Sequence, residues 1–187
     1  NSDVENEIIF PKSMRSIGNY AFQYSKIKAA YMNDEITSIG SSAFSWCKYL
    51  ENINYPSKAI YIPDGCFYNC NALRTFTIPE GISSIKEGAF YECWNFNPRF
   101  PTTMNEIKSS AFYNTATDSI FIKEGMTVYI NAFARCQNLV YAEWPTSFVY
   151  ANYDWYWNNS TTTVVSDCPK LNKVKLMSPT VVTYNQQ

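Results

Sequence analysis

The chain has 187 residues, with 15 basic and 16 acidic side chains and a formal net charge of −1. That balance gives no basic field to hold nucleic acid, and no apolar run reaches the about 18 residues that a membrane-crossing helix needs. Histidine is absent, which removes the commonest general base and the commonest metal ligand together.

The chain opens on a polar stretch, Asn1 to Glu7, with no apolar signal core. It then enters a pattern: Ile8, Phe10 and Pro11 precede Met14, Ile17 and Phe22. A small residue followed by Phe recurs at Phe22, Phe44, Phe67, Phe90, Phe112 and Phe133, at intervals of 22, 23, 23, 22 and 21. A period in the twenties is one supersecondary unit stacked on itself, a solenoid. Ile53, Tyr55 and Pro56 precede Ile62 and Phe67, and Pro98, Phe100 and Pro101 precede Met104, Ile107 and Phe112. Ile120 and Ile122 precede Val128 and Phe133, with Lys123 in the proline's place.

Within one repeat, Phe76 and Ile78 alternate with Thr75 and Thr77, which predicts a short half-buried strand ended by Pro79. Glu80-Gly81 forms the turn, and Ile82 and Ile85 begin a second extended or irregular segment. At Gly88-Ala89-Phe90 the small residues allow neighbouring units to approach while Phe fills the centre. Alternation along the first strand assigns two outward columns. One runs Tyr31, Asn54, Thr77, Arg99, Phe121, Glu143 and Lys175; the other runs Ala29, Asn52, Thr75, Asn97, Ser119, Tyr141 and Lys173. Tyr31, Phe121 and Tyr141 are its candidate contact aromatics.

Cys47, Cys70, Cys93, Cys136 and Cys168 share one phase, with Ser25 and Thr115 taking it elsewhere. Neighbouring copies lie about 4.8 Å apart at strand spacing, but side chains in a ladder point the same way, which disfavours a disulfide. Nor do thiols in a column converge tetrahedrally on a metal. Buried, reduced thiols packing as small hydrophobes are the expectation. No cofactor and no catalysis are expected: the carboxylates sit mostly in turns, and no phosphate-cradling glycine loop is present.

The period breaks after Phe133, where the next equivalent position is Val165, 32 residues on. The extra material lies at about 147–163 and is rich in aromatics, Tyr150, Tyr153, Trp155, Tyr156 and Trp157 among them. Insertions in solenoids map to one face, often the binding face. Aromatics with polar tips suit protein hot spots or glycan stacking; the alternative is that the segment folds back to seal an edge.

Stretches such as Ile39-Gly40-Ser41-Ser42-Ala43-Phe44-Ser45-Trp46-Cys47 and Phe76-Thr77-Ile78-Pro79 resemble the BspA-like leucine-rich repeat family over about residues 8–180. The resemblance implies an α/β-type, right-handed leucine-rich-repeat solenoid. It would be one domain over 1–187 of about seven repeats, with a parallel sheet on the concave face and mostly irregular or 3₁₀ segments on the other. It also implies a cell-surface or secreted, non-catalytic adhesion module of the kind often found in host-associated anaerobic bacteria or parasitic protists. Such a module would bind an extracellular protein or glycan. The competing expectation is a structural spacer that presents other domains of a longer protein. Val174, Leu176, Val181 and Val182 fit a last strand and the start of a cap or further repeat, as in a piece of a longer chain.

Overall fold

The computed structural model describes residues 6–145, 149–151 and 164–176. They carry, in chain order, β1 (Glu7–Ile9), β2 (Ser16–Ile17), β3 (Ala29–Tyr31), β4 (Ser38–Ile39), β5 (Asn52–Asn54), β6 (Tyr61–Ile62) and β7 (Ser84–Ile85). These continue with β8 (Glu106–Ile107), β9 (Ser119–Phe121), β10 (Thr127–Tyr129), β11 (Tyr141–Trp144), β12 (Val149–Ala151) and β13 (Lys173–Leu176). Every pairing is parallel and joins a strand to its equivalent one turn away. No α-helix occurs among the described residues, so the α/β description gives way to a parallel β-solenoid.

Each turn has three sides. The first carries equivalents of the segment around residues 75–78, paired in two ladders, β1-β3-β5 and β9-β11-β13. The second, expected to be extended or irregular, is a sheet, β6-β7-β8-β10-β12, with β2-β4 beside the first turns. The third side is the Phe arm. It is not a strand, yet its backbone is regular.

The arm around Phe44 shows how. The amides of Ser42, Phe44 and Trp46 donate to carbonyls of Asp64, Cys66 and Tyr68 in the next turn at 2.8, 2.9 and 2.6 Å. The amides of Ala43, Ser45 and Cys47 instead donate three residues back within their own turn. Alternate N–H groups thus link turns or tighten one turn, and none in this run is left unpaired. The inter-turn donors and acceptors recur at the arms of Phe22, Phe67, Phe90 and Phe112.

This geometry stacks the phenylalanines. Consecutive rings from Phe22 to Phe133 have centroids 5.2, 5.8, 5.3, 5.3 and 5.3 Å apart and lie within 19° of parallel. Phe44, Phe67, Phe90, Phe112 and Phe133 are fully buried, as are the Ala or Cys before each of them. Six turns carry this column, and the Val165 arm continues its hydrogen bonding through Phe133 N–H to Val164 O and Arg135 N–H to Ser166 O.

Two expectations on the first side need correction. Phe76 and Ile78 are buried while Thr75 and Thr77 are exposed, as alternation requires, but neither 75–78 nor 97–100 forms a paired strand. Pro98 sits at the inward middle position that Ile53 and Ile120 hold in other turns, and it has no N–H to give a ladder. Side chains bridge part of the gap: Thr75 Oγ1 lies 2.8 Å from Asn52 Oδ1, and Asn97 Nδ2 donates to Asp118 Oδ2 at 2.6 Å. Ala29, assigned to an outward column, is enclosed rather than exposed.

Candidate functional site

The outward residues of β9, β11 and β13 form a grid set by register: Ser119, Tyr141 and Lys173 in one row, Phe121, Glu143 and Lys175 in the next. Phe121 is 59% exposed, with no role in the core that would justify an apolar ring there. Its centroid lies 5.5 Å from that of Tyr141, at 45°. Lys173 Nζ stands 5.6 Å from the Tyr141 centroid. The Tyr141 hydroxyl donates to Glu143 Oε2 at 2.6 Å, and Lys175 Nζ lies 3.0 Å from Glu143 Oε1.

These bonds hold the grid in one protonation state. The hydrogen bond from Tyr141, helped by Lys175, keeps the Glu143 carboxyl below its ordinary range. The hydrogen bond to Glu143 raises the Tyr141 phenol, and it also raises the Lys175 ammonium. On the neighbouring turn, Arg99 Nη1 lies 3.5 Å from Asp118 Oδ1. Partial burial would push the Asp118 carboxyl up, but hydrogen bonds from Ser119 and Asn97, with Arg99 close by, hold it low. Arg99, Lys173 and Lys175 therefore flank the exposed Phe121 and half-buried Tyr141, against the two carboxylates Asp118 and Glu143.

The structure brings Phe121 and Tyr141 together and leaves Tyr31 apart. Tyr31 is 41% exposed on β3, four turns from Phe121 and so about 19 Å away at strand spacing. Tyr150 lies on β12, whose backbone pairs with β10; its side chain lies outside the described residues, as do Tyr153, Trp155, Tyr156 and Trp157.

A second aromatic column is present that the alternation of strands does not reveal. Tyr24, Trp46, Tyr68, Tyr91 and Tyr113 follow one another along the outside of the Phe arm, with centroids 5.9, 6.0, 4.7 and 4.5 Å apart. Arg135 lies over the end ring at 5.8 Å. A scan of every phase of the repeat shows it, provided a slip of one residue is allowed: Tyr24 and Trp46 lie two residues after Phe, the other three one residue after.

The remaining chemistry is sparse. Among the described residues no group of three or more Cys, Asp or Glu is placed to hold a metal ion, and no helix is long and apolar enough to cross a membrane. All six cysteines are free thiols. Burial drives the Cys47 thiol up to about 12 and raises Cys93 further, opposite to what a nucleophile needs.

Residues 1–97 and 61–178 match the BspA type leucine rich repeat region in six copies. The chain belongs to the BspA-type leucine-rich-repeat family. No curated protein matches the sequence. Among solved structures it is similar to a leucine-rich repeat protein from Bacteroides ovatus, at 23% identity and a TM-score of 0.76, covering 91% of this chain and 48% of that one. It is also similar to a leucine-rich repeat protein from Eubacterium ventriosum, at 17% identity and a TM-score of 0.58, covering 84% and 47%. The pneumococcal vaccine antigen PcpA matches at 15% identity with a TM-score of 0.54, covering 93% and 57%. At these identities the likeness is one of fold, and the chain spans about half the length of the first two proteins.

Proposed function

We propose that the chain is a non-catalytic protein-binding module of a cell-surface or secreted protein, acting through the outward grid of β9, β11 and β13. The observation that carries this reading is the Phe121–Tyr141 pair, an exposed Phe against a half-buried Tyr within a polar rim that is already internally bonded. An aromatic centre with a charged rim is the anatomy of a protein interface. Three cations against two carboxylates favour a partner that offers carboxylates around an apolar side chain. Membership of a repeat family whose domains serve as interaction modules supports the same reading.

The aromatic segment at 147–163 follows β11 directly in the chain, so Tyr153, Trp155 and Trp157 are proposed as a second contact. Adhesion to host protein or glycan is the finer form of this proposal, and a spacer role is the alternative. An array of extracellular-matrix proteins and glycans separates them. It would be probed with the native chain, a Phe121→Ala, Tyr141→Ala variant and a Tyr153→Ala, Trp155→Ala, Trp157→Ala variant, each checked for fold by circular dichroism. Binding that falls at least tenfold in the first variant supports the grid, and loss confined to the second moves the site to the insertion. No binding by the native chain favours the spacer.

A further inference from the structure

The second aromatic column does not offer an open run of flat ring faces on which a sugar stacks, because Tyr91 is covered on both faces by Tyr68 and Tyr113. Its geometry suits a different chemistry. Tyr68 and Tyr91 lie 4.7 Å apart at 4° from parallel, and Tyr91 and Tyr113 lie 4.5 Å apart at 2°. All three are half-buried, with their edges at the surface. Three phenols stacked in near-perfect register on adjacent turns are held where two neighbouring radicals meet before either diffuses away.

We propose that Tyr68, Tyr91 and Tyr113 are a site of intramolecular dityrosine cross-linking, driven by hydrogen peroxide through a haem peroxidase. This inference is independent of the binding role argued above. Two adjacent phenols each give up one electron and the hydroxyl proton. A carbon–carbon bond then forms between ring carbons ortho to oxygen. The two ortho hydrogens return to the oxygens, restoring both phenols. Peroxide takes the two electrons and two protons and leaves as two waters.

The surroundings close one competing fate, quenching of the phenoxyl radical by a thiol. The thiols of these turns, Cys66, Cys70 and Cys93, are fully buried, and Cys70 and Cys93 donate S–H to the Phe44 and Phe67 carbonyls at 3.1 and 3.0 Å. They lie under the column rather than at the surface. Burial, with the neighbouring tyrosines and Glu92, pushes the Tyr91 phenol up to about 12. Asn114 Nδ2 and Trp94 Nε1 both donate to Glu92 Oε2, holding that carboxylate beside the column. The product ties consecutive turns covalently, at the point where the solenoid would otherwise open by separation of stacked units.

Trypsin provides a clean readout. Cleavage after Lys86, Arg99, Lys108 and Lys123 puts Tyr91 alone in peptide 87–99 and Tyr113 alone in peptide 109–123. The native chain, kept dilute, is treated with peroxidase and peroxide; monomer is isolated and digested. The expected result is dityrosine fluorescence in the monomer. Mass spectrometry should find peptide 87–99 joined to 109–123, or to 59–74 with fragment ions placing the bond on Tyr68 and not Tyr61, lighter than the sum by two hydrogens. Tyr91→Phe keeps the ring stack but has no phenol at the centre, and should lower monomer dityrosine at least fivefold. The oxidised native monomer should also unfold at higher urea than the untreated one. The proposal is overturned if 87–99 is absent from the cross-links, with the exposed Tyr20, Tyr24 or Tyr49 carrying them instead. Equal dityrosine in Tyr91→Phe and native monomers would overturn it as well.

Discussion

Two residues in every described Phe arm hold left-handed backbone, one two positions before the stacked Phe and one two positions after. They are Tyr20 and Tyr24, Ser42 and Trp46, Gly65 and Asn69, Gly88 and Glu92, Ser110 and Asn114, and Asn131 and Arg135, all with φ between 52° and 62°. Left-handed φ is what lets alternate amides point to the next turn and to their own. A side chain there carries roughly 1–2 kcal/mol of strain, which glycine avoids. Ser110 has φ 54° and Gly88 has φ 57°, in equivalent slots of neighbouring arms. Ser110→Gly should therefore stabilise the chain by about 0.5–1 kcal/mol, less than the full strain because glycine loses more entropy on folding. Gly88→Ala should destabilise by about 1 kcal/mol. A Cβ at Gly88 would lie 3.8 Å from Tyr91 Cβ, an ordinary contact, so the loss is conformational and not steric. Urea midpoints of the two variants measure both signs. A gain for Gly88→Ala, or a loss for Ser110→Gly, would show that these residues do not set the arm. The cysteine column has an equally local cause. Cys47, Cys70, Cys93, Cys136 and Cys168 each donate S–H to the Phe carbonyl of the preceding turn, at 3.0–3.3 Å. Thr115 uses its hydroxyl on the Phe112 carbonyl of its own turn instead. A small donor is what the slot requires, which is why Ser and Thr replace Cys and no disulfide forms.

On the scale of elements, the second sheet holds a charge device that a period count does not reveal. Glu106 on β8 lies 2.8 Å from Lys108 Nζ and 3.2 Å from Lys86 Nζ, and it accepts from Ser84 Oγ at 2.7 Å. Lys108 Nζ also stands 3.9 Å from the centroid of Tyr129 on β10, so the cluster joins β7, β8 and β10. Partial burial alone would raise the Glu106 carboxyl, but hydrogen bonds from Lys108, Ser84 and Lys86 prevail and lower it from 4.5 to about 2. A depressed folded pKa means that the ionised form is favoured by folding. Its stabilisation is complete above pH 4.5 and is lost as pH falls toward about 2. Native chain and Glu106→Gln should differ in urea midpoint by a constant amount above pH 5.5 or so and converge as pH falls through that window. A gap that persists at the acid end would assign the difference to packing. The elements themselves were legible to different depths. The Phe column was readable because its spacing varies only between 21 and 23. The strand at 75–78 was misread because alternation reports which face is buried, whereas pairing also needs donors, and Pro98 removes one from the next turn. Alternation alone puts Phe121 and Tyr141 in outward columns, whereas their contact needs the register of β9 and β11. The outer tyrosine column does not follow from alternation, since its phase slips by one residue between Trp46 and Tyr68.

For the whole molecule, the decisive property is that each turn touches mainly the turns beside it. Stability is then close to a sum of unit and interface contributions, and the position of a defect matters as much as its size. Phe90 is fully buried and stacks on Phe67 and Phe112 at 5.3 Å each, so Phe90→Ala removes two interfaces at mid-chain. A loss of about 3–5 kcal/mol is expected for truncating such a ring. Phe22, at the first arm, is half-buried, with Phe44 stacked at 5.2 Å on one side and Phe10 edge-on at 5.5 Å on the other. Phe22→Ala should therefore lower stability by less than half as much and loosen the first turn alone. The two variants should also differ in cooperativity. Breaking the column at Phe90 uncouples the turns on either side, so its urea transition should broaden to a lower slope or split in two. Amide exchange should show protection lost between Phe67 and Phe112 and retained toward both ends. Phe22→Ala should keep one transition with a nearly unchanged slope. If Phe90→Ala instead unfolds in a single transition of native slope, coupling extends beyond neighbouring turns and the stack behaves as one core.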